Sequence, residues 1–222
     1  MTSSNDREAL MKLAPANTPA SQVRVLPNGV DSNYFRPPDG QVEKDPATLV
    51  ISGKMSYHAN VTMSLNFVHE TLPIIWSRRP DVKLMLVGKD PTAELLSLGK
   101  NPAIQVTGTV DDIRPYLHKA TLAVTPITYG AGIQNKVLEA MACGLPVVSS
   151  PQAVSALGVN PGQDLIVANN PEEFASAVVT LLDDPGLRAR IGQAGRRYVE
   201  QDHLWVNIAA QLEEVYDEII HA

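Results

Sequence analysis

The chain has 222 residues, 44% of them hydrophobic, and is long enough to bury the core of one complete α/β domain with flanking segments. It carries 24 acidic and 18 basic residues, a formal net charge of -6, which excludes a general attraction to nucleic acid but leaves room for a local anion site. A single cysteine excludes an internal disulfide framework, and residues 1–10 lack the apolar core of a signal peptide, so a cytoplasmic protein is expected.

The first 46 residues predict a helix followed by an irregular segment. A polar run from Ser4 to Glu8 has the composition of a helix start, yet no strand precedes it on which the helix could pack. Residues 18–46 are rich in proline, glycine and asparagine and contain one short strand candidate at residues 22–26. We therefore expect residues 1–17 to be the remnant of an N-terminal domain and residues 18–46 to be an interdomain crossing.

From residue 47 onward, short apolar runs alternate with longer helical patterns, as in strand–helix–strand units on a parallel sheet. Strands are predicted at residues 48–52, 83–87, 104–107, 122–126, 146–149 and 164–168. Helices are predicted at residues 61–79, 112–120, 135–143 and 172–182. Pro73 should kink or split the first of these helices. The predicted fold class is α/β, a Rossmann-like parallel sheet with helices on both faces, over residues 47–202.

Two further helices are predicted at the end of the chain, at residues 185–201 and 204–220. The second carries an apolar stripe at helical spacing, formed by Ile208, Leu212, Val215 and Ile219. An apolar stripe needs a surface to cover it. Residues 203–222 are therefore expected to pack on a domain outside this chain, or to cause self-association without one.

The strand at residues 122–126 leads into a glycine-rich turn with Gly130, Ala131, Gly132 and Ile133, and a helix follows at once. Backbone N–H groups in such a turn can approach an anion, and the helix N-terminus adds partial positive charge. In an open parallel sheet the turn lies at the carboxyl ends of the strands, where ligands bind. The alternative is that the glycines only make a tight turn.

Lys136 and Glu139 lie three positions apart, so their side chains share one face of the predicted helix near its start. A lysine there can reach a diphosphate, and a carboxylate one turn further can accept hydrogen bonds from two ribose hydroxyls. An ordinary exposed ion pair is the alternative. The helix is otherwise apolar, however, and an unpaired charge on such a helix is costly, which favours a binding role.

The run GIQNKVLEAMA at residues 132–142 resembles the donor-site motif of group-1 glycosyltransferases. Five further segments resemble motifs of the family, in the family's order: VLPNGVD at 25–31, SGK at 52–54, LVG at 86–88, VTGTV at 106–110 and GLPVV at 144–148. The resemblance implies the C-terminal, donor-binding half of a two-domain, B-type, retaining enzyme. An N-terminal domain would bind the acceptor, residues 1–17 would be its remnant, and the last helix would pack on it.

The resemblance also implies roles for single residues. It makes Glu139 the ribose ligand and Lys54, next to Gly53, a diphosphate ligand. Gly132 and Ile133 would form the backbone cradle for phosphate or sugar. Three residues after the third strand would lie near the base: Gly108, Thr109 and Val110. The catalytic residues are not identified, because acceptor-side residues are expected outside this chain.

Two positions depart from the family pattern. Ala131 stands eight positions before Glu139, where the family has a glutamate that touches the donor sugar. Ala59 and Asn60 stand where the family has a second basic residue, and we expect Lys136 to supply that charge. Lys136, together with the run GKMSYHAN at residues 53–60, resembles a subgroup of sugar transferases of exopolysaccharide or cell-surface glycan assembly.

Other reactive residue types are expected to be structural. His58, in a predicted loop, is interpreted as structural or exposed rather than as a general base. The same holds for three histidines on or beside helices: His69, His118 and His203. Cys143 falls on the apolar side of its helix and should belong to the core. Arg196 and Arg197 should form a solvated helix face.

The resemblance implies a hexosyl-type glycosyltransferase, which transfers the sugar of a nucleoside diphosphate donor to an acceptor hydroxyl with retention. Lys54, Lys136 and a helix N-terminus would stabilise the charge on the leaving diphosphate, so neither a metal ion nor a resident cofactor is expected. The expected partners are the nucleotide-sugar and an acceptor domain or subunit. Any membrane contact would be peripheral, through a part outside this chain.

Two other function classes remain open at this point. A non-catalytic nucleotide-sugar-binding or partner-docking module would keep the fold without the acceptor domain. A flavodoxin-like carrier shares doubly wound topology, but flavin binding gives Lys136 and Glu139 no evident role.

Overall fold

The computed structural model describes residues 1–15, 17–19, 23–40, 45–130 and 132–221 of the chain. Six strands form its central sheet: β1 (Thr48–Ser52), β2 (Lys83–Val87), β3 (Ile104–Val106), β4 (Leu122–Thr125), β5 (Val147–Ser149) and β6 (Ile166–Val167). All pair in parallel, in the order β3-β2-β1-β4-β5-β6. The chain therefore has the predicted α/β, Rossmann-like fold, and the strand order reverses between β1 and β4.

The strand predictions are closest at the centre of the sheet. β1 and β2 have the predicted bounds, and β3 and β4 each end one residue early. β6 keeps two of its five predicted residues, since Leu165 is bound within the preceding loop, where its carbonyl accepts from the N–H of Gly162. The strand predicted at residues 22–26 is wrong for residues 23–26, and Gln22 lies outside the described residues. There, the Leu26 N–H donates to the carbonyl of Met1 and not to a sheet.

Ten α-helices and one π-helical segment surround the sheet in the described parts of the chain. They are α1 (Ser4–Leu13), α2 (His58–Asn66), the π segment (Phe67–Thr71), α3 (Leu72–Arg78), α4 (Ala93–Leu98), α5 (Arg114–Lys119), α6 (Asn135–Ala142), α7 (Pro151–Val154), α8 (Pro171–Asp183), α9 (Pro185–Asp202) and α10 (Trp205–Ile220). α1 starts as predicted, because the Ser3 side chain accepts from the N–H of Asp6.

The helix predicted at residues 61–79 begins three residues earlier, at His58, and is divided by the π segment, which confirms the predicted split at Pro73. Proline has no N–H to donate, so Pro73 lies in the first turn of α3. Two short helices were not predicted. α4 and α7 are too short to give an amphipathic period. Each begins at a side-chain cap, where Thr92 accepts from Leu95 and Ser150 from Ala153.

Side chains of successive strand residues point to opposite faces of the sheet and bury a core on each. On one face Leu49 and Ile51 pack with Phe67 and Phe174, whose rings meet edge to face at 6.3 Å between centroids. On the other face Val50 packs in the cluster that α6 and α9 cover. Because helices cover both faces, a ligand can reach the sheet only at the ends of its strands.

The segment after residue 27 is fastened to the junction of α9 and α10. The N–H of Val30 donates to the His203 carbonyl at 2.7 Å. The buried His203 ring lies between the Tyr198 hydroxyl and the Asn28 carbonyl, each 2.8 Å away. His203 therefore has the structural role that the sequence predicts.

No helix within the described residues has the length and apolarity needed to cross a membrane. α10 is amphipathic, but only Ile208 of its apolar stripe is buried. Leu212 and Ile219 are 37% and 68% exposed, and Tyr216 beside them is 57% exposed. The outer face of α10 is therefore an apolar surface that the described residues do not cover.

We expect the 222-residue chain to self-associate through this face, because contiguous exposed apolar area favours association. Sedimentation velocity over a wide concentration range should show dimers or larger species, and the double variant Leu212→Glu, Ile219→Glu should shift the distribution to monomers. A strictly monomeric parent with α10 well protected in hydrogen exchange would contradict this prediction.

Candidate functional site

The candidate site lies at the carboxyl edge of the sheet, where β1 and β4 pair side by side. β1 leads into Gly53 and Lys54, and β4 leads into the glycine-rich loop that opens α6. Ligands of open parallel sheets bind at such a topological switch point. The fold therefore brings together the two segments that the sequence singles out for phosphate binding.

The Lys136 side chain crosses from α6 to the loop after β1. A Cβ atom built on Gly53, whose φ is +143°, would lie 3.4 Å from Cε of Lys136. Its ammonium donates to Oδ1 of Asn60 at 2.5 Å. Burial lowers the pKa of Lys136 from 10.5 to about 8, and Glu139 opposes that shift. Within the described residues the ammonium forms no salt bridge, so a cation lies at this edge without a bound carboxylate.

Asn60 is a site residue that the sequence analysis noted only as a departure from the family pattern. It is 5% exposed, and its Nδ2 donates to the Lys54 carbonyl at 2.9 Å. Its amide thus joins the backbone at Lys54 to the ammonium of Lys136. No local sequence pattern marks Asn60, because the ammonium that it contacts lies 76 residues further along the chain.

Lys54 is exposed and its ammonium has no hydrogen bond or ion pair to the described residues. The side chain is therefore free to reach a ligand at the strand edge. Its backbone is held at the carbonyl, which accepts from Nδ2 of Asn60 and from the N–H of Tyr57.

Glu139 lies one turn after Lys136 on α6, among neighbours that are buried. Its carboxylate accepts no hydrogen bond and forms no salt bridge within the described residues. Burial raises the pKa of Glu139, and the nearby Lys136 charge opposes that rise. An exposed Lys–Glu pair is thereby excluded: both side chains are partly buried and neither neutralises the other by direct contact.

The glycine-rich loop is anchored at two neighbouring residues, Tyr129 and Gly130. The Tyr129 hydroxyl is 3.0 Å from Nδ1 of His58 and 3.1 Å from the Thr62 hydroxyl, and the Tyr129 ring stacks on His58. Nε2 of Gln152 donates to the Gly130 carbonyl at 2.5 Å. His58 therefore holds the loop, which agrees with its interpretation as structural.

The loop backbone suits a close approach of a ligand. Gly130 and Gly132 have φ values of +128° and +81°, and a Cβ atom on either would meet no heavy atom within 4 Å. Ile133 packs against the core, and Gln134 at the N-terminus of α6 supplies no side-chain cap. The first turn of α6 therefore has no side-chain cap on its N–H groups. Ala131 lies outside the described residues.

The segment predicted near the base lies further along the same edge, since β3 is separated from β1 by β2. Gly108 has φ +72°, Thr109 is exposed, and Val110 packs against the core. The structure therefore places Gly53 close to Lys136, links the Lys54 backbone to Lys136 through Asn60, and leaves this segment two strands away.

Two other expectations have clear outcomes. Cys143 is buried, and burial raises the pKa of its thiol to about 12, so it belongs to the core as predicted. The prediction for Arg196 is wrong: its guanidinium donates to the Ala142 carbonyl at the end of α6, at 2.5 Å, and pairs with Glu200. It satisfies a helix-terminal carbonyl and so joins α9 to α6. Within the described residues no three His, Cys, Asp or Glu side chains are grouped as metal ligands would be.

Comparison with known proteins gives one family. The family model described as Glycosyl transferases group 1 matches residues 46–184. The MMP alpha-(1->4)-mannosyltransferase of Mycolicibacterium hassiacum is 29% identical over 211 residues, which are 90% of this chain and 49% of that protein. A GDP-mannose-dependent monoacylated alpha-(1-6)-phosphatidylinositol monomannoside mannosyltransferase of Corynebacterium glutamicum is 28% identical over 86% of this chain and 55% of its own length. The chain spans about half the length of these curated relatives.

A solved structure shows the same fold. Anabaena HepE in complex with UDP and glucose superposes with a TM-score of 0.76 at 18% identity, covering 97% of this chain and 61% of that one. The family match covers more than half of the 222 residues and includes the loop after β1, the glycine-rich loop and α6. The chain belongs to the group-1 glycosyltransferase family.

Proposed function

We propose that this chain is the donor-binding half of a retaining glycosyltransferase, which transfers a hexosyl group from a nucleoside diphosphate sugar to an acceptor hydroxyl. The observation that carries the proposal is the ammonium of Lys136, held at the switch point by a neutral amide and by no carboxylate of the described residues. A partly buried cation of this kind is matched best by an anionic ligand.

The site offers three sources of positive potential to a diphosphate: the ammonium of Lys136, the exposed ammonium of Lys54 and the N-terminus of α6. Charge develops on the diphosphate as its bond to the sugar breaks, and fixed positive groups stabilise that charge. Catalysis of this type requires neither a metal ion nor a resident cofactor. A relative named as GDP-mannose-dependent and a fold neighbour with bound UDP support a nucleoside diphosphate as the ligand.

The acceptor is proposed to bind to a separate domain or subunit, which would also supply the catalytic groups on the acceptor side. The apolar face of α10 is the surface on which that domain would pack. We also propose a role in exopolysaccharide or cell-surface glycan assembly, on the resemblance of residues 53–60 and Lys136 to that subgroup.

Calorimetric titration of the chain with UDP, GDP and ADP, and with the matching nucleosides, tests the proposed function. One diphosphate should bind at least about tenfold more tightly than its nucleoside, since a charge-assisted contact contributes about 1.5 to 3 kcal/mol. A nucleotide-sugar with the same base should compete with it. If every diphosphate binds no better than its nucleoside, the proposal is wrong.

Glu139→Gln tests the ribose assignment. The carboxylate has no hydrogen-bond partner among the described residues, so it is available to accept from two ribose hydroxyls. We expect the parent to bind the 2′-deoxy diphosphate at least about tenfold more weakly than the ribo form, and the variant to discriminate by less than about threefold. The variant should also bind the ribo form more weakly, while its unfolding transition is retained.

Glu94→Gln is the control for Glu139→Gln, because Glu94 is exposed on α4 and its replacement removes the same charge. It should discriminate against the 2′-deoxy form as the parent does. Equal discrimination by the parent and Glu139→Gln would leave Glu139 as a structural residue whose charge only balances that of Lys136.

A further inference from the structure

We propose that Asn60 is a positioning residue of the diphosphate site. Its amide bridges the ammonium of Lys136 and the backbone carbonyl of Lys54, so that both lysines can contact one ligand. This inference rests on the proposed function and adds to it a residue that the family pattern does not provide. Position 60 lies where a second basic residue would be expected from that pattern, and here the side chain accepts from a cation.

The amide of Asn60 can have only one orientation. Its Oδ1 faces the ammonium of Lys136 and its Nδ2 faces the Lys54 carbonyl. A rotated amide would place its N–H groups against an ammonium and its oxygen against a carbonyl, which are two repulsive contacts. Asn60 is 5% exposed, so water does not replace either contact. The geometry therefore requires an amide, which has one donor end and one acceptor end.

The space for this pair is made by Gly53. A Cβ atom on Gly53 would lie 2.9 Å from Nδ2 of Asn60 and 3.4 Å from Cε of Lys136. A side chain there would push the two residues away from the strand edge. The three residues thus fit one another, although they come from the β1 loop, α2 and α6.

A neutral partner has a functional consequence. A carboxylate at position 60 would pair with Lys136 and cancel its charge before a ligand arrives, whereas the amide fixes the ammonium and leaves the charge in place. The charged group that acts on Lys136 is Glu139 on its own helix, and Lys54 lies exposed on the adjacent loop. On α2, the His58 ring contacts the Tyr129 hydroxyl, and Asn60 contacts the ammonium of Lys136.

The test compares Asn60→Ala and Asn60→Asp with the parent. The probe is whichever of UDP, GDP and ADP the parent binds most tightly, together with its nucleoside. At about pH 7.5 both variants should bind the diphosphate about tenfold more weakly, the scale of one charge-assisted hydrogen bond. Binding of the nucleoside should change by less than about twofold, because its contacts lie beyond the diphosphate.

The pH profile separates positioning from a general structural role. Phosphate groups are fully ionised above about pH 7.5, so a fall in diphosphate affinity toward about pH 10 reports the ammonium. Asn60→Ala removes a group that favours the charged lysine and should move this fall to lower pH. Asn60→Asp supplies a carboxylate and should move the fall to higher pH. Asn60→Asp keeps the shape of the parent and carries the test if Asn60→Ala does not fold.

Ser64→Ala is the matched control, since the Ser64 hydroxyl donates to the Asn60 backbone carbonyl in the same buried helix and does not contact Lys136. It should change stability but not the pH profile. The proposal is overturned if both Asn60 variants bind the diphosphate as the parent does, or if their profiles match that of Ser64→Ala. A parent that shows no preference for the diphosphate would instead overturn the proposed function.

Discussion

Lys136→Met should weaken binding of the nucleoside diphosphate by about 1 to 3 kcal/mol and leave the free chain at least as stable as the parent. Methionine keeps the length and the apolar contacts of lysine but removes its charge. The parent charge is desolvated, as the lowered pKa of Lys136 indicates, so its removal relieves a cost in the folded chain. The loss of a donor for Asn60 offsets part of this gain, by about 1 to 3 kcal/mol.

The pH dependence of unfolding tests whether the charge of Lys136 destabilises the folded chain. The pKa of Lys136 falls from 10.5 to about 8 on folding, so between these values the unfolded chain binds a proton that the folded chain has released. Stability contributed by Lys136 therefore rises with pH across this window, by about 3 kcal/mol in total. Urea unfolding at several pH values should show the advantage of Lys136→Met at pH 7 shrinking as the pH approaches 10.

Lys54→Ala should weaken diphosphate binding on the same scale, about 1 to 3 kcal/mol, with little effect on stability because its ammonium has no partner among the described residues. Lys100→Ala, at an exposed lysine in the turn before β3, removes the same charge as a control. If Lys54→Ala and Lys136→Met both bind the diphosphate as the parent does, the phosphate site lies elsewhere. A Lys136→Met variant that is much less stable at every pH would show a structural role for that lysine.

The fold could be predicted from the sequence where burial dictates the residue types. β1 and β2 are apolar through most of their length because both faces of the sheet are covered, and their bounds were predicted. β6 is partly exposed at an edge, and its first predicted residues, Asp164 and Leu165, make loop contacts instead. α4 and α7 span six and four residues, which is too short for a helical period to show.

The part of the candidate site that is local in sequence could be predicted, whereas its long-range contacts could not. The glycine-rich loop, Lys136 and Glu139 are close in sequence, so one helix start places them together. The contact between Lys136 and Asn60 joins residues 76 positions apart, and no local pattern announces it. The close approach of Gly53 and Gly88 could not be predicted either, because it depends on the paths of the two loops that follow β1 and β2.

Gly88→Ala should lower the free energy of unfolding by about 3 to 5 kcal/mol, because it combines backbone strain with a direct overlap. Gly88 follows β2 and has φ +149°, which residues with a side chain rarely adopt. A Cβ atom there would lie 1.7 Å from the Gly53 carbonyl oxygen, so the two loops would have to separate. The N–H of Gly53 donates to the Val87 carbonyl at 3.1 Å, and this bond would be lost with the contact.

Gly162→Ala separates the two causes, since Gly162 has φ +82° but a Cβ atom there would meet no heavy atom within 4 Å. It should lose only the strain, about 1 to 2 kcal/mol, in the same denaturant titration. Because Gly88→Ala displaces Gly53 and with it the Lys54 backbone, any folded fraction should also bind the diphosphate more weakly, whereas Gly162→Ala should bind it as the parent does. Equal destabilisation by the two variants would mean that the loops separate easily, and that Gly53 is not held at the edge of the sheet by its contact with Gly88.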